Sequence, residues 1–104
     1  DKLSIEERIR KIEEFIYTNP QVKDVQVVGV VSEKYGEEVA AVIQIKPGES
    51  CTEDNIKQFC KDLISFHKIP KHVFFVDDYP CTASGKIQKY KLKDQAEIKL
   101  RLKT

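Results

Sequence analysis

An α+β fold, with a small sheet of about three strands covered by helices in the order α-β-β-α-β-α, follows from three features of the 104-residue sequence. Apolar residues recur at helical spacing near its start, middle and end; two neighbouring runs are rich in β-branched residues; and turn formers separate the segments. Both element types occur without a repeating βα unit, which suits a single sheet covered by helices.

The first helix is predicted from Ile5, Ile9, Ile12 and Ile16, which line one face. Ser4, followed three residues later by Glu7, forms a capping box ahead of that stripe. Asn19-Pro20 ends it, because the residue before a proline is driven out of the α region. From Asp24 the period changes. DVQVVGVV at 24–31 and EVAAVIQI at 38–45 suit pleated, buried surfaces and are joined by the turn SEKYG into a predicted hairpin. Pro47-Gly48 is a turn. Thr52, Glu53 and Asp54 then open a second helix, whose apolar side is Ile56, Phe59, Cys60, Leu63 and Ile64. Pro70 closes that segment, and VFFV at 73–76 is the predicted third strand. DDYPCTASGK at 77–86 is a loop, since Pro80 excludes helix and Ser84-Gly85 is poor sheet. Leu92, Ala96 and Leu100 recur at four-residue intervals among strong helix formers and mark a last helix.

Composition narrows the function classes. With 40% hydrophobic and 34% charged residues the chain is expected to form one domain, large enough for a single core but not for a large enclosed cavity. No apolar run approaches the roughly 20 residues of a membrane span, and the start, DKLSIEERIRK, lacks the apolar centre of a signal peptide. Three cysteines, Cys51, Cys60 and Cys81, form neither a complete disulfide set nor a CxxC pair, so reduced thiols in cytoplasm or an organelle matrix are expected. The net charge of +1 conceals an asymmetry: residues 86–104 hold seven basic against two acidic side chains, and residues 1–85 eleven against fifteen.

The segment 77–89, DDYPCTASGKIQK, carries the surplus chemistry. Gly85 allows backbone angles closed to other residues, so that Lys86 stands at the loop tip as a compact cation able to enter another pocket. There it could stabilise charge developing on a phosphate or carboxylate. The same pattern also fits a solvated surface lysine, and spacing alone does not decide between them. A phosphate-binding P-loop is excluded: Pro80 stands where its first glycine is needed, and Ile87 where a hydroxyl must hold magnesium. His67 and His72 have no cysteine or carboxylate at ligand spacing, so they are expected at the surface beside a turn, with no metal site. Cys60 lies on an apolar helix face, where a thiol is inert packing. The basic tail lacks any nucleic-acid recognition signature, so nucleic acid is not an expected partner.

Two stretches, VKDVQVVGVVSEKYGEEVAAVIQIKPGE and FCKDLISFHKIPKHVFFVDDYPCTASGKIQKYKL, resemble the C-terminal domain of adenylate-forming acyl-CoA synthetases, the family that includes luciferase and peptide-synthetase adenylation domains. The resemblance rests on Gly29 with Gly36-Glu37, on Lys68-Ile69-Pro70-Lys71, and on Pro80-x-Thr82-x-Ser84-Gly85-Lys86-Ile87-Gln88-Lys89, and covers roughly residues 12–95. It implies a two-step reaction in which a carboxylic acid and ATP give an acyl-adenylate and pyrophosphate, and coenzyme A then displaces AMP. The small domain would act as a mobile lid on a large N-terminal ATP- and acyl-binding domain, inserting Lys86 in the first step and turning another face in the second. Thr82, Ser84 and Gly85 would position the loop; Gly36, Glu37, Lys68 and Lys71 would be candidates for coenzyme A or interdomain contact, with solvated lysines beside a turn as the plain alternative for the latter two.

The GKIQKxKL-type ending is similar to fatty or medium-chain acyl-CoA synthetases more than to amino-acid-adenylating modules. The spacing around Lys86 also resembles sites modified by lysine acetyltransferases and cleared by deacetylases in this family. ATP with magnesium and coenzyme A would be substrates of the complete enzyme, none held by this domain alone. Two departures stand out. KLSIEERIRK replaces a glycine-containing hairpin that the family carries here, leaving residues 1–11 as a cloning remnant, a sequence-specific variation or the start of an independently encoded lid; and the large domain is absent from the 104 residues, which are expected to be inactive alone. The alternative function is a stand-alone α+β binding or regulatory module that retains the fold without catalysis.

Overall fold

A computed structural model describes residues 4–32, 36–63 and 70–103. The expectations for His67 and Lys68, for Ile64 in the second helix and for the centre of the SEKYG turn lie outside these residues. The elements are α1 (Ile5–Tyr17), β1 (Val22–Ser32), β2 (Gly36–Ile45), α2 (Glu53–Leu63), β3 (His72–Phe75) and α3 (Lys89–Lys103), in the predicted order.

Local chemistry sets most boundaries. Ser4 caps α1: its Oγ accepts the Glu7 N–H at 3.2 Å, and its hydroxyl donates to Glu7 Oε1 at 3.2 Å. At the other end Asn19, 8% exposed, accepts the Gln21 N–H on Oδ1 at 2.9 Å and turns the chain into β1. Glu49 N–H bonds Lys46 C=O at 3.0 Å across Pro47-Gly48, and Gly48 holds φ at +83°, as the third position of a type II turn requires. Thr52 and Asn55 cap α2 reciprocally, each backbone N–H donating to the other's side-chain oxygen at 3.0 and 3.1 Å.

The sheet runs β1-β2-β3, with β1 and β2 antiparallel and β3 parallel to β2, so it is mixed. A parallel neighbour needs a crossover, which the segment containing α2 supplies. Each strand differs slightly from expectation. β1 and β2 extend by one or two residues at ends where polar residues still find partners, as Ser32 does with Gly36. β3 begins at His72, paired with Ala40, one residue before the expected VFFV; the Val76 N–H still reaches Ile43 C=O at 3.0 Å beyond its end. His72 is therefore half-buried within the sheet, its Nε2 lying 3.2 Å from Glu38 Oε1, where a surface position beside a turn was expected.

Both sheet faces are covered. On one, Val25 and Val27 of β1, Val39, Ala41 and Ile43 of β2 and Val73 of β3 pack against Ile12 and Ile16 of α1 and Ile56 and Cys60 of α2. Val22 joins this face because a register shift between Val22 and Asp24 inverts the alternation there. Phe15 stacks on Phe59 with ring centroids 4.9 Å apart, locking α1 to α2. On the other face Val28, Val30, Ala40, Val42 and Phe74 meet Leu92 and Ala96 of α3. Among the described residues no helix is long and apolar enough to cross a membrane.

Ile16 is fully buried whereas Ile98 is 50% exposed. Ile16→Ala is expected to cost about 2–5 kcal/mol through lost transfer energy and a residual cavity. Ile98→Ala is expected to stay within about 0.5 kcal/mol. Urea unfolding monitored by circular dichroism checks both; equal midpoints for the two variants would contradict the assigned core.

Candidate functional site

The chain leaves β3 at one edge of the sheet and must reach α3, which covers the face opposite α1 and α2. Residues 77–88 make that passage, hydrogen-bonded to the sheet along their first arm. Gln44 Nε2 donates to Asp77 C=O at 2.7 Å, and Tyr79 O–H donates to Val42 C=O at 2.7 Å. Tyr79 and Ile87 pack onto the α3-side core, one from each arm. Burial pushes the Tyr79 phenol well above its ordinary range; the charges of Asp24 and Glu13 add to this and a hydrogen bond from the Gln44 backbone opposes it. The hydroxyl stays protonated, as its donor role requires.

Between these anchors the segment closes on itself. Gln88 N–H bonds Pro80 C=O at 2.9 Å, Cys81 and Ile87 form an antiparallel bridge, and Thr82 N–H bonds Lys86 C=O at 2.8 Å. The Gly85 N–H returns to Thr82 C=O at 2.9 Å, closing a four-residue turn in which Gly85 has φ +88°. No atom lies within 4 Å of where a Gly85 Cβ would stand, so the glycine is needed for its backbone angle and not for space. Thr82 Oγ1 accepts the Lys86 N–H at 3.1 Å and lies 3.0 Å from Ser84 Oγ. The predicted loop is thus a miniature hairpin. It tolerates a sheet-like bridge because Gly85 takes the left-handed position that such short turns demand. Lys86 stands one residue past the turn, on the returning arm, and not at the tip. It is exposed, and among the described residues no carboxylate pairs with it.

The other candidates lie elsewhere. Gly36 and Glu37 pair with Ser32 and Val31 at the hairpin end of β2, and exposed Lys71 immediately precedes β3, its N–H bonded to Val39 C=O at 3.0 Å. Gly36, Glu37 and Lys71 therefore gather at one end of the sheet. The Lys86 hairpin is rooted at Val42 and Gln44, which lie between three residues beyond Val39 and eight residues beyond Gly36 along β2, a span of roughly 10–27 Å at the ordinary strand rise. Lys68 is outside the described residues.

Burial deactivates two of the three thiols. Cys60 is fully buried, and burial pushes its thiol up to about 11; burial also raises the Cys51 thiol. Among the described residues no three His, Cys, Asp or Glu side chains gather as a metal-binding group.

Sequence reasoning missed Tyr79 and Glu13. Tyr79 had a local signal, as the lone aromatic in a polar stretch. Glu13 had none: its partners, Val27 and Lys89, are distant in sequence and on different elements.

A family model for the AMP-binding enzyme C-terminal domain matches residues 11–86. YngI of Bacillus subtilis is 59% identical over 86 residues, 83% of this chain and 16% of YngI. The mitochondrial medium-chain acyl-CoA ligase ACSF2 of Homo sapiens is 52% identical over 92 residues, 88% of this chain and 15% of the ligase. The chain therefore spans about a sixth of the length of these relatives. Among solved structures, ATP-bound MatB from Rhodopseudomonas palustris superposes with a TM-score of 0.79 at 32% identity, covering 85% of this chain and 18% of that one. Because the matched span runs from the first helix through all three strands to Lys86, the chain belongs to the AMP-binding enzyme C-terminal domain family.

Proposed function

We propose that residues 1–104 are the C-terminal lid of an AMP-forming acyl-CoA ligase, and that Lys86 is the cation it inserts for adenylation. The observation that carries this reading is the Lys86 hairpin: an exposed ammonium, paired with no carboxylate among the described residues, just past a turn whose two arms are anchored in the core, in a chain of this family. The large N-terminal domain, its partner, binds ATP with magnesium and the acid; the lid alone holds neither and is inactive.

In the first half-reaction a carboxylate oxygen attacks the α-phosphorus of ATP, the bond to the bridging oxygen of pyrophosphate breaks, and an acyl-adenylate remains. Two anions must meet, and the pentacoordinate phosphorus gathers further negative charge. A lysine at the meeting point offsets the repulsion, and its compact head and long stem suit insertion into a crowded site better than a guanidinium fork. In the second half-reaction the thiol sulfur of coenzyme A attacks the acyl carbon, the bond to AMP breaks and the thiol proton is lost. Lys86 has no task there. The separation of Gly36, Glu37 and Lys71 from the hairpin supports a lid that turns a second surface to the large domain for this step, with Lys68 expected on that surface. The name of the ACSF2 relative supports a medium-chain or fatty acid as substrate and a mitochondrial matrix or cytoplasmic setting.

With the chain joined to the large domain of a related synthetase, pyrophosphate release across a panel of carboxylic acids is expected to be greatest for medium-chain acids. In that enzyme Lys86→Ala is expected to lower pyrophosphate release about 10²- to 10³-fold, the range for loss of one charge-stabilising donor. Thioester formation from a supplied acyl-adenylate is expected to persist; equal loss in both half-reactions, with the fold intact, removes the role assigned to Lys86. Acetylation by a lysine acetyltransferase and acetyl-CoA is expected to silence adenylation by removing the same charge, and a deacetylase to restore it. Mass spectrometry alongside the pyrophosphate assay checks this, and an acetylated Lys86 with full activity contradicts it.

A further inference from the structure

Val27 lies on β1, beside whose outer side no other strand runs among the described residues, so its outward N–H and C=O need partners that the sheet does not supply. Glu13 of α1 provides one: its Oε2 accepts the Val27 N–H at 2.7 Å. The same oxygen accepts from Lys89 Nζ at 2.5 Å, and Lys89 Nζ also donates to Val27 C=O at 3.3 Å. One carboxylate oxygen thus joins α1, the free edge of β1 and the first residue of α3. The Glu13 side chain is only 23% exposed, so water competes weakly for it.

Lys89 is also where the returning arm of the hairpin ends. Ile87 is packed and the Gln88 N–H is tied to Pro80, so the arm has little slack between Lys86 and Lys89. Three residues span at most about 10 Å, and a shift of Lys89 passes directly to Lys86. We infer that Glu13 is a positioning residue for Lys86, acting through Lys89 to fix the arm that carries it. The inference rests on the adenylation role of Lys86. Its energetic logic is that a reacting group displaced by about 1 Å can lose on the order of 10²-fold in rate.

Glu13→Gln separates this role from edge capping, because the amide oxygen still accepts the Val27 N–H while the charge that holds Lys89 is gone. Lys89→Met cuts the same clasp from the other side. In the enzyme completed with a large domain, each is expected to lower pyrophosphate release by about tenfold or more. Thioester formation from supplied acyl-adenylate is expected to stay within about twofold, and the double variant to be no worse than either single one, as for two halves of one interaction. Lys89→Arg, which retains the charge, is expected to recover most of the adenylation rate. The inference is overturned if both half-reactions fall together, or if neither falls, while Lys86→Ala remains selective for adenylation. Should Lys86→Ala itself prove unselective, the role of Lys86 is what fails.

Discussion

β2 is apolar on both faces, and the rest of the molecule is arranged around covering it. Val39, Ala40, Ala41, Val42 and Ile43 are all buried, alternating between the α1–α2 side and the α3 side. A strand of this kind is stable only at the centre of a sheet with layers above and below. β1 and β3 supply its neighbours, α1 and α2 cover one face, and α3 covers the other. Because β3 ends at an edge and α3 must lie across the opposite face, a connecting segment has to run between them. That segment carries Lys86. The exposed lysine is in this sense a product of topology: the chain must pass there, and the two anchors that guide it, Tyr79 and Ile87, belong to the same core as Val42 and Phe74.

The free edge of β1 is the second constraint. Its outward N–H groups meet carboxylates: Asp24 Oδ1 at Val25, Glu13 Oε2 at Val27 and Glu97 Oε2 at Val31, at 2.8, 2.7 and 2.8 Å. Acidic side chains from both helical layers therefore close an edge that would otherwise invite another strand. Glu13 and Glu97 come from opposite sides of the sheet, so edge protection and the fastening of α1 and α3 are accomplished by the same atoms. The link from Glu13 to Lys89 brings the base of the hairpin into that arrangement.

These features characterise a small domain built around one sheet with a helical layer on each face. Little in the described residues resembles a self-contained catalytic centre: Cys60 is buried and held protonated, and His72 is occupied by Glu38. What the fold offers is a packed sheet that holds two separated groups of residues. At one end of β2 are Gly36, Glu37 and Lys71; further along, the hairpin holds Lys86, whose backbone N–H and C=O are both bonded to Thr82 while its side chain is exposed. With the backbone fixed in this way, a contact made through the Lys86 head group would restrict mainly side-chain rotamers.

Local sequence patterns alone determined the element order, the core faces of α1 and α3, the N-caps of α1 and α2 and the turn at Gly48, because each depends on residues within a few positions of one another. They also placed the sharp turn at Gly85, a local feature, but not the hairpin pairing of Cys81 with Ile87 nor the position of Lys86 past the turn. Tertiary structure decided the rest. That β3 pairs parallel with β2, that Val22 changes face at a bulge, that His72 enters the sheet, and that α3 lies opposite α1 and α2 are outcomes of packing between distant segments. The clasp of Glu13, Val27 and Lys89 is of the same kind. Each residue, seen locally, is an ordinary helix glutamate, strand valine or loop lysine; only the closure of both layers over β2 brings them within hydrogen-bonding distance, because a salt bridge between residues 76 apart has no periodicity to announce it.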